Sequence, residues 1–164
     1  MEIIYRKRDR WTYPRTLAQD RRGRSAFKAD YRKTMALLKS ELRHLDVKKA
    51  IIQVDTTDYW IRNDGQLRVD AKIETPGIVI NFNSPLVGDL CYPCDSCDCW
   101  RHNVRSVALA LEALRAVDRY GVSSLAQQYT GWARLAGPTD DSVVDGPPPP
   151  TTTAEAVNLS LIHI

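Results

Sequence analysis

The chain has 164 residues, of which 43% are hydrophobic and 26% charged, and its formal net charge is +3. These values are typical of one soluble globular domain with tails, and they exclude a collagen, a coiled coil or a wholly disordered chain. Its apolar stretches are far shorter than the roughly 18 to 20 residues that a membrane-spanning helix needs. The cations at 6–10 precede polar and aromatic residues instead of the apolar core of a signal peptide, so we expect a cytoplasmic protein without membrane partners.

Charge is unevenly distributed along the chain. Residues 1–34 contain 11 Lys and Arg against 4 Asp and Glu, whereas the remainder has a net charge of −4. This pattern fits either a phosphate-binding footprint or a solvated basic surface. Trp11 and Tyr13 lie among the arginines of residues 1–24, the basic N-terminal arm, where aromatic rings could stack on bases. The candidate nucleic-acid contacts are Arg6, Lys7, Arg8, Arg10, Trp11, Arg15, Arg21, Arg22 and Arg24.

Two segments have the periodicity of amphipathic helices. Ser25 is a good N-cap residue, and apolar residues then recur at helical spacing up to Leu45. A second helix is predicted over roughly 99–120, with Gly121 as its C-terminal stop. Charged residues on the other face of the first helix are explained by solvation.

Three short β-rich segments separate these helices. Strands are predicted at 50–54, 78–82 and 90–92, and Asn63-Asp64-Gly65 forms the turn of a hairpin or of an ordered loop. The order helix, strands, helix predicts an α+β fold over residues 25–136. We expect a two-layer sandwich, with two long amphipathic helices packed on a small sheet of three to four strands.

The C-terminal composition differs from that of the domain. Residues 137–158 include four consecutive prolines followed directly by three threonines, which predicts an extended linker. Residues 159–164 match the in-frame translation of a transposase end sequence used in sequencing libraries. We therefore expect a truncated reading frame whose native continuation is missing. Residues 1–10 and 137–164 are expected to lack stable packing.

All four cysteines lie within nine residues, at Cys91, Cys94, Cys97 and Cys99. The first three have the spacing of a metal-cluster ligand run. Cys97 and Cys99, however, point to opposite faces of a strand or helix, and no second cysteine pair is present. Partly buried thiols are therefore favoured over a zinc or iron–sulfur site, and no bound metal is expected.

Acidic residues before the second helix have two interpretations. Asp95 or Asp98 could cap the helix, or these two could join Asp55 and Asp89 in a metal-dependent nuclease site. The pattern partly resembles RusA-type junction resolvases, but its spacing differs and the helix lysine is absent. Nucleotide-binding loops and nucleophile motifs are also absent, so we expect no enzyme and no cofactor.

Seven short motifs are spread over roughly residues 11–135. The motifs are Trp11-x-x-Pro14-Arg15-Thr16, Ser25-x-Phe27, Ile61-Arg62-x-Asp64-Gly65, Pro76-Gly77-Ile78, Cys94-Asp95 with Trp100-x-x-Asn103-x-Arg105, Ala113-Leu114-Arg115-x-Val117-Asp118-Arg119-Tyr120-Gly121, and Gln128-Tyr129-x-Gly131-Trp132. Together they resemble the N-terminal domain of J-domain-containing (DnaJ-like) proteins of actinobacteria and their phages and mobile elements. Within the fifth motif we expect Asn103 and Arg105 to anchor the loop before the helix.

This resemblance implies a non-enzymatic adaptor or client-recruiting domain of a J-domain-like co-chaperone that acts with a DnaK-type chaperone. The chaperone contact would come from a J-like domain after the linker. No chaperone-contact residue transfers to this chain, because the His-Pro-Asp signature is absent. The alternative hypothesis is a nucleic-acid-associated protein of a phage or mobile element that uses the basic arm.

Overall fold

The computed structural model describes residues 1–23, 27–122 and 126–134, which form an α+β fold. Its strands and helices are β1 (Glu2–Lys7), α1 (Tyr31–His44), β2 (Lys49–Val54), β3 (Ile78–Ser84), β4 (Gly88–Cys94) and α2 (Trp100–Arg119). The four strands make one mixed sheet in the order β1-β2-β3-β4, in which β1 is parallel to β2 and the other neighbours are antiparallel. The α+β prediction is confirmed, as are both long helices and three of the strands.

The core forms where alternate strand residues meet the apolar stripes of the two helices. On β2 and β3 the inward residues are fully or almost fully buried, as the two-residue period of a strand requires. They pack with Leu38 and Leu42 of α1 and with Val104, Val107 and Leu111 of α2. The helices also contact each other directly. Tertiary burial of these stripes stabilises both helices.

The first strand corrects the prediction for the N-terminus. Ile3, Ile4 and Tyr5 are each about 95% buried, so the expectation that residues 1–10 lack stable packing is wrong. Because β1 is parallel to β2, the two strands need a long crossover connection, and α1 lies within it. The apolar run is only three residues long and is flanked by charges, which concealed the strand.

Helix α1 begins later than its periodicity predicts. Asp30 is its N-cap, and its carboxylate accepts a hydrogen bond from the backbone N–H of Lys33 at 2.8 Å. Phe27, which was expected in the first turn, instead packs edge-on against His102 of α2. Ser25, the predicted cap, lies outside the described residues, as do Arg24, the predicted linker at 137–158 and residues 159–164.

Both edges of the sheet are covered by other segments of the chain. At β1, the Tyr5 N–H donates to the carbonyl of Gly65 at 2.6 Å, and the Gln66 side chain donates to the carbonyl of Ile3. At β4, Leu90 bridges to Ala133. The segment around Gly65 is therefore an ordered loop against β1, one of the two predicted alternatives. Covered edges prevent pairing with strands of other chains.

Gly65 has a conformation and a contact that only glycine permits. Its φ is +76°, and a Cβ at this position would lie 2.8 Å from Cγ2 of Ile4. We expect Gly65→Ala to lower the free energy of unfolding by roughly 2 to 4 kcal/mol, from backbone strain and overpacking together. Gly88→Ala is the matched control because Gly88 has φ +84° but no neighbouring atom within 4 Å. Urea unfolding measures both, and equal losses would show that the Ile4 contact is unimportant.

Several buried tyrosines are held in the neutral form. The hydroxyls of Tyr5 and Tyr31 are hydrogen-bonded to each other beneath the edge of Trp100. Burial raises the pKa of each of these two tyrosines above its usual value. It does the same for Tyr92 and Tyr129, which lie in the core. Ionisation of these phenols therefore favours the unfolded chain.

This predicts a loss of stability at alkaline pH. A hydrogen bond to Cys91, with burial, raises the pKa of Tyr13 to about 12, so this phenol also resists ionisation in the folded state. The stabilisation is complete below the unfolded tyrosine pKa of about 10 and decreases as pH rises through the folded values. We expect Tm to fall above pH ~10 and tyrosinate absorbance to rise together with unfolding. Full tyrosinate absorbance in a chain that remains folded would contradict this account.

None of the helices in the described part of the chain combines the length and the apolar character needed to cross a membrane.

Candidate functional site

An arginine-lined cleft of about 430 Å³ lies beyond the carboxyl ends of β1, β2 and β4. Four arginines line this cleft: Arg8, Arg10, Arg15 and Arg21. The chain brings them there because β1 ends at Lys7 and the following segment crosses the ends of the other strands. The basic character that the sequence places in an arm is therefore concentrated at one end of the sheet.

Arg8 is the buried cation of the cleft, with only 8% of the residue exposed. Its guanidinium donates to the carbonyl of Gly77 at 2.7 Å and to Oγ1 of Thr75 at 2.8 Å, and it lies 3.2 Å from Oδ2 of Asp55. The ring of Trp11 packs against it, 4.9 Å from the guanidinium carbon. This environment fixes the orientation of Arg8 through charge-assisted hydrogen bonds.

Opposing electrostatic effects act on Arg8. Burial lowers the pKa of Arg8 below its usual value, the carboxylate of Asp55 opposes that shift, and the positive charge of Arg15 lowers it further. Asp95 also contributes to raising it. The effect of Arg15 shows that two like charges lie close enough to repel across the cleft.

Asp95 connects the segment that follows β1 to the end of β4. Its two carboxylate oxygens accept hydrogen bonds from the backbone N–H and the hydroxyl of Thr16, at 2.8 and 2.7 Å. Arg21 lies 3.6 Å from the same carboxylate. The prediction that Asp95 or Asp98 caps α2 is therefore wrong, since Cys99 is the N-cap residue and makes no side-chain cap bond.

Asn103 of α2 supports the segment beside the cleft through its hydrogen bond to Pro76. It is fully buried; its Oδ1 accepts from the N–H of Cys97 at 2.9 Å, and its Nδ2 donates to the carbonyls of Pro76 and Cys97 at 2.8 and 3.1 Å. The predicted loop-anchoring role of Asn103 is confirmed. Gly77, which follows Pro76, lines the cleft so closely that a Cβ at this position would lie 2.8 Å from the Arg8 guanidinium and 3.1 Å from Trp11.

Two other predicted motif residues have different environments. Trp100 packs edge-on against Tyr5 and Tyr31 at the start of α2. The Nε of Arg105 is buried and has no hydrogen-bond partner among the described residues, so an anchoring contact like that of Asn103 is not observed for it.

The predicted nucleic-acid contacts divide into exposed and engaged side chains. Arg8 and Arg21 are occupied by contacts within the protein, and Arg24 lies outside the described residues. Trp11 is half-buried against Arg8 and Tyr13. The exposed cations of this region, which we call the basic segment, are Arg6, Lys7, Arg10, Arg15 and Arg22.

The four cysteines are free thiols, and Cys94 and Cys97 share Ser96 and Asn103 as neighbours. Cys91 is hydrogen-bonded to Tyr13, Cys94 contacts Asn103, and Cys97 is fully buried. Cys99 lies at the start of α2. Within residues 1–23, 27–122 and 126–134, no group of three or more Cys, His, Asp or Glu side chains is arranged to hold a metal ion.

Of the four carboxylates considered for a nuclease, only Asp55 and Asp95 reach the same cleft. Each is paired there with an arginine. Asp89 accepts a hydrogen bond from Asn83 on the neighbouring strand, and Asp98 is exposed. The arrangement does not resemble a set of carboxylates that converge on a cation.

The cleft residues that sequence reasoning missed are those whose roles depend on distant partners. Thr16 contacts a residue 79 positions away, and Thr75 and Gly77 contact Arg8 over separations of 67 and 69 positions. The Pro76-Gly77 pair is recognised from the sequence only as part of a resemblance motif. The available sequence signal was a glycine next to a predicted strand, because such a glycine can mark the close approach of another segment.

Three of the seven motifs of the J-domain-like resemblance, although dispersed in sequence, meet at or beside this cleft. Thr16 bonds Asp95, Asn103 bonds Pro76, and Trp11 lies against Gly77. A comparison with protein-family models, curated proteins and solved structures finds no match for the chain.

Proposed function

We propose that this chain is a non-enzymatic nucleic-acid-binding domain, built as a two-layer sandwich with its recognition surface at the arginine-lined cleft and the basic segment. The helices cover one face of the sheet, and the segment after β1 places its arginines at one end of the sheet. Arg and Lys bind the phosphate backbone without sequence preference, and aromatic residues among them stack on bases.

The observation that carries this proposal is the exposure of the basic segment. Arg6, Lys7, Arg10, Arg15 and Arg22 are all exposed, and none has a carboxylate within ion-pair distance in the described part of the chain. A cation that is already paired with a carboxylate in the protein binds an external phosphate less strongly than an unpaired cation. These five retain their charge for an external anion.

The test measures salt-dependent binding by fluorescence anisotropy, with a labelled single strand and a duplex. We expect binding at ~50 mM salt and a log–log salt slope that becomes shallower by about two units when Arg6, Lys7 and Arg22 are all changed to Gln. These three do not line the cleft. Arg21 is left unchanged because of its contact with Asp95.

The matched control is the triple change of Arg32, Lys33 and Arg43 to Gln. These residues are exposed on α1, and their substitution removes the same net charge as the change of Arg6, Lys7 and Arg22. Binding to neither probe at low salt would contradict the proposal, and equal loss in both triple variants would reduce it to an effect of net charge.

A second candidate function is the client-recruiting adaptor of a J-domain-like co-chaperone. Its support is that three of the seven resemblance motifs meet at or beside one cleft. Under this function, the chain should delay aggregation of a chemically unfolded reporter enzyme in the absence of nucleic acid, followed by light scattering. The Arg6, Lys7 and Arg22 triple variant should be equally effective. No delay at a tenfold molar excess would contradict this second function.

A further inference from the structure

The arginine-lined cleft contains more positive charge than its own carboxylates neutralise. Arg10 and Arg15 line the cavity and are exposed, and neither has a carboxylate within ion-pair distance among the residues that the structure describes. Asp9 is the one cleft carboxylate that is exposed and makes no ion pair within the same residues. Two guanidinium groups are therefore available to an anion in the cleft.

Two carboxylates of the cleft, the buried Asp95 and the partly exposed Asp55, are hydrogen-bonded within the protein. Both oxygens of Asp95 accept from Thr16, and Oδ2 of Asp55 accepts from Thr75 at 2.6 Å while facing Arg8. A carboxylate that is already hydrogen-bonded and paired repels an incoming anion less than a free one. The cleft is thus electrostatically suited to an anion although it contains acidic residues.

Repulsion among the cations points to the same ligand charge. Arg8 and Arg15 both line the cleft, and the charge of Arg15 adds to burial in lowering the pKa of Arg8. An anion beside Arg15 would relieve this repulsion, while Arg8 itself is held by Gly77, Thr75 and Asp55.

We propose that the cleft binds a phosphate monoester, the group carried by a nucleotide or by the 5′-phosphorylated end of a strand. Such a group has a charge of about −1.5 to −2 at neutral pH, and two free guanidinium groups are available to bind it, against the one free carboxylate of Asp9. Guanidinium forks also fit phosphate oxygens in pairs. The cavity volume of about 430 Å³ lies in the range of small-ligand pockets, and Trp11 lines its wall.

This inference refines the proposed function, on which it rests, by separating a terminal phosphate from the strand that carries it. The experiment compares two 3′-labelled ten-nucleotide strands of one sequence, one with a 5′-phosphate and one with a 5′-hydroxyl, on the full chain. We expect the phosphorylated strand to bind about tenfold more tightly, as one charge-assisted contact would provide. Arg10→Gln with Arg15→Gln should abolish this preference, whereas Arg32→Gln on α1 should retain it.

Competition then distinguishes the sources of the phosphate. Adenosine monophosphate and inorganic phosphate are added separately to the complex with the phosphorylated strand. If both displace it at similar concentrations, the cleft recognises the phosphate alone; if adenosine monophosphate acts at lower concentrations, the nucleoside also contributes. Displacement by neither would overturn the inference.

Failures of the two proposals have different signatures. Equal affinity for the two strands in the unmodified chain would overturn the phosphate-monoester inference and leave the proposed function standing. A preference that survives the change of both Arg10 and Arg15 would also overturn it. Binding to neither strand would overturn both proposals. Circular dichroism of each variant confirms that these exposed substitutions retain the fold.

Discussion

Replacing Arg115 with leucine is expected to lower the free energy of unfolding by about 3 to 5 kcal/mol, because it leaves a buried carboxylate without its partner. Glu41 of α1 is only 2% exposed, and both of its oxygens accept hydrogen bonds from the Arg115 guanidinium of α2, at 2.6 and 3.0 Å. This two-bond pair joins the helices. Urea unfolding with an unchanged m-value would measure the loss.

A double variant distinguishes the loss of the ion pair from the cost of burying an unpaired carboxylate. Glu41→Leu combined with Arg115→Leu should recover most of the lost stability, since apolar replacements of a buried ion pair are often neutral or stabilising. Arg119→Leu is the surface control on the same helix and should change stability by no more than about 0.5 kcal/mol. A loss below about 1 kcal/mol for Arg115→Leu would show that Glu41 finds another partner or reaches water.

Asn103→Leu is expected to cost about 3 kcal/mol and to lower Tm by roughly 10 °C. The change keeps the number of side-chain heavy atoms but removes four hydrogen bonds, so the Cys97 N–H and the Pro76 carbonyl lose their side-chain partner in a buried site. Because the Pro76 carbonyl precedes Gly77, the cleft should also be disturbed. Asn63→Leu, at an exposed position, is the control.

Binding and stability should change together in the Asn103 variant. If the phosphorylated strand binds the variant as well as it binds the unmodified chain, at a temperature where the variant is folded, Asn103 supports the fold without positioning the cleft. A calorimetric scan and the anisotropy titration described above provide the two measurements.

The arginines of the basic arm differ in their contacts, and the sequence alone does not show the difference. Its charge and its arginines are visible in the sequence, but charge alone does not distinguish Arg8, which is buried against Asp55, from Arg10, which is exposed. That difference depends on β1, whose pairing with β2 directs the following segment across the ends of the strands. A salt titration of variants chosen from sequence would have included Arg21, which is paired with Asp95.

The sequence by itself determined the two helices, three of the four strands and the loop-anchoring role of Asn103. These features have local signals: helical or strand periodicity of apolar residues, and a polar side chain beside a buried helical stripe. The start of α1 was misplaced because Phe27 fits the helical period but packs against His102 instead.

Only the tertiary structure decided the parallel strand β1, the covering of both sheet edges and the composition of the cleft. The physical reason is the distance along the chain between the interacting groups: Arg8 meets Gly77 across 69 positions, and Thr16 meets Asp95 across 79. Hydrogen bonds and ion pairs between such segments leave no periodic trace in either one. They form only after burial of the apolar stripes has brought the ends of the strands together.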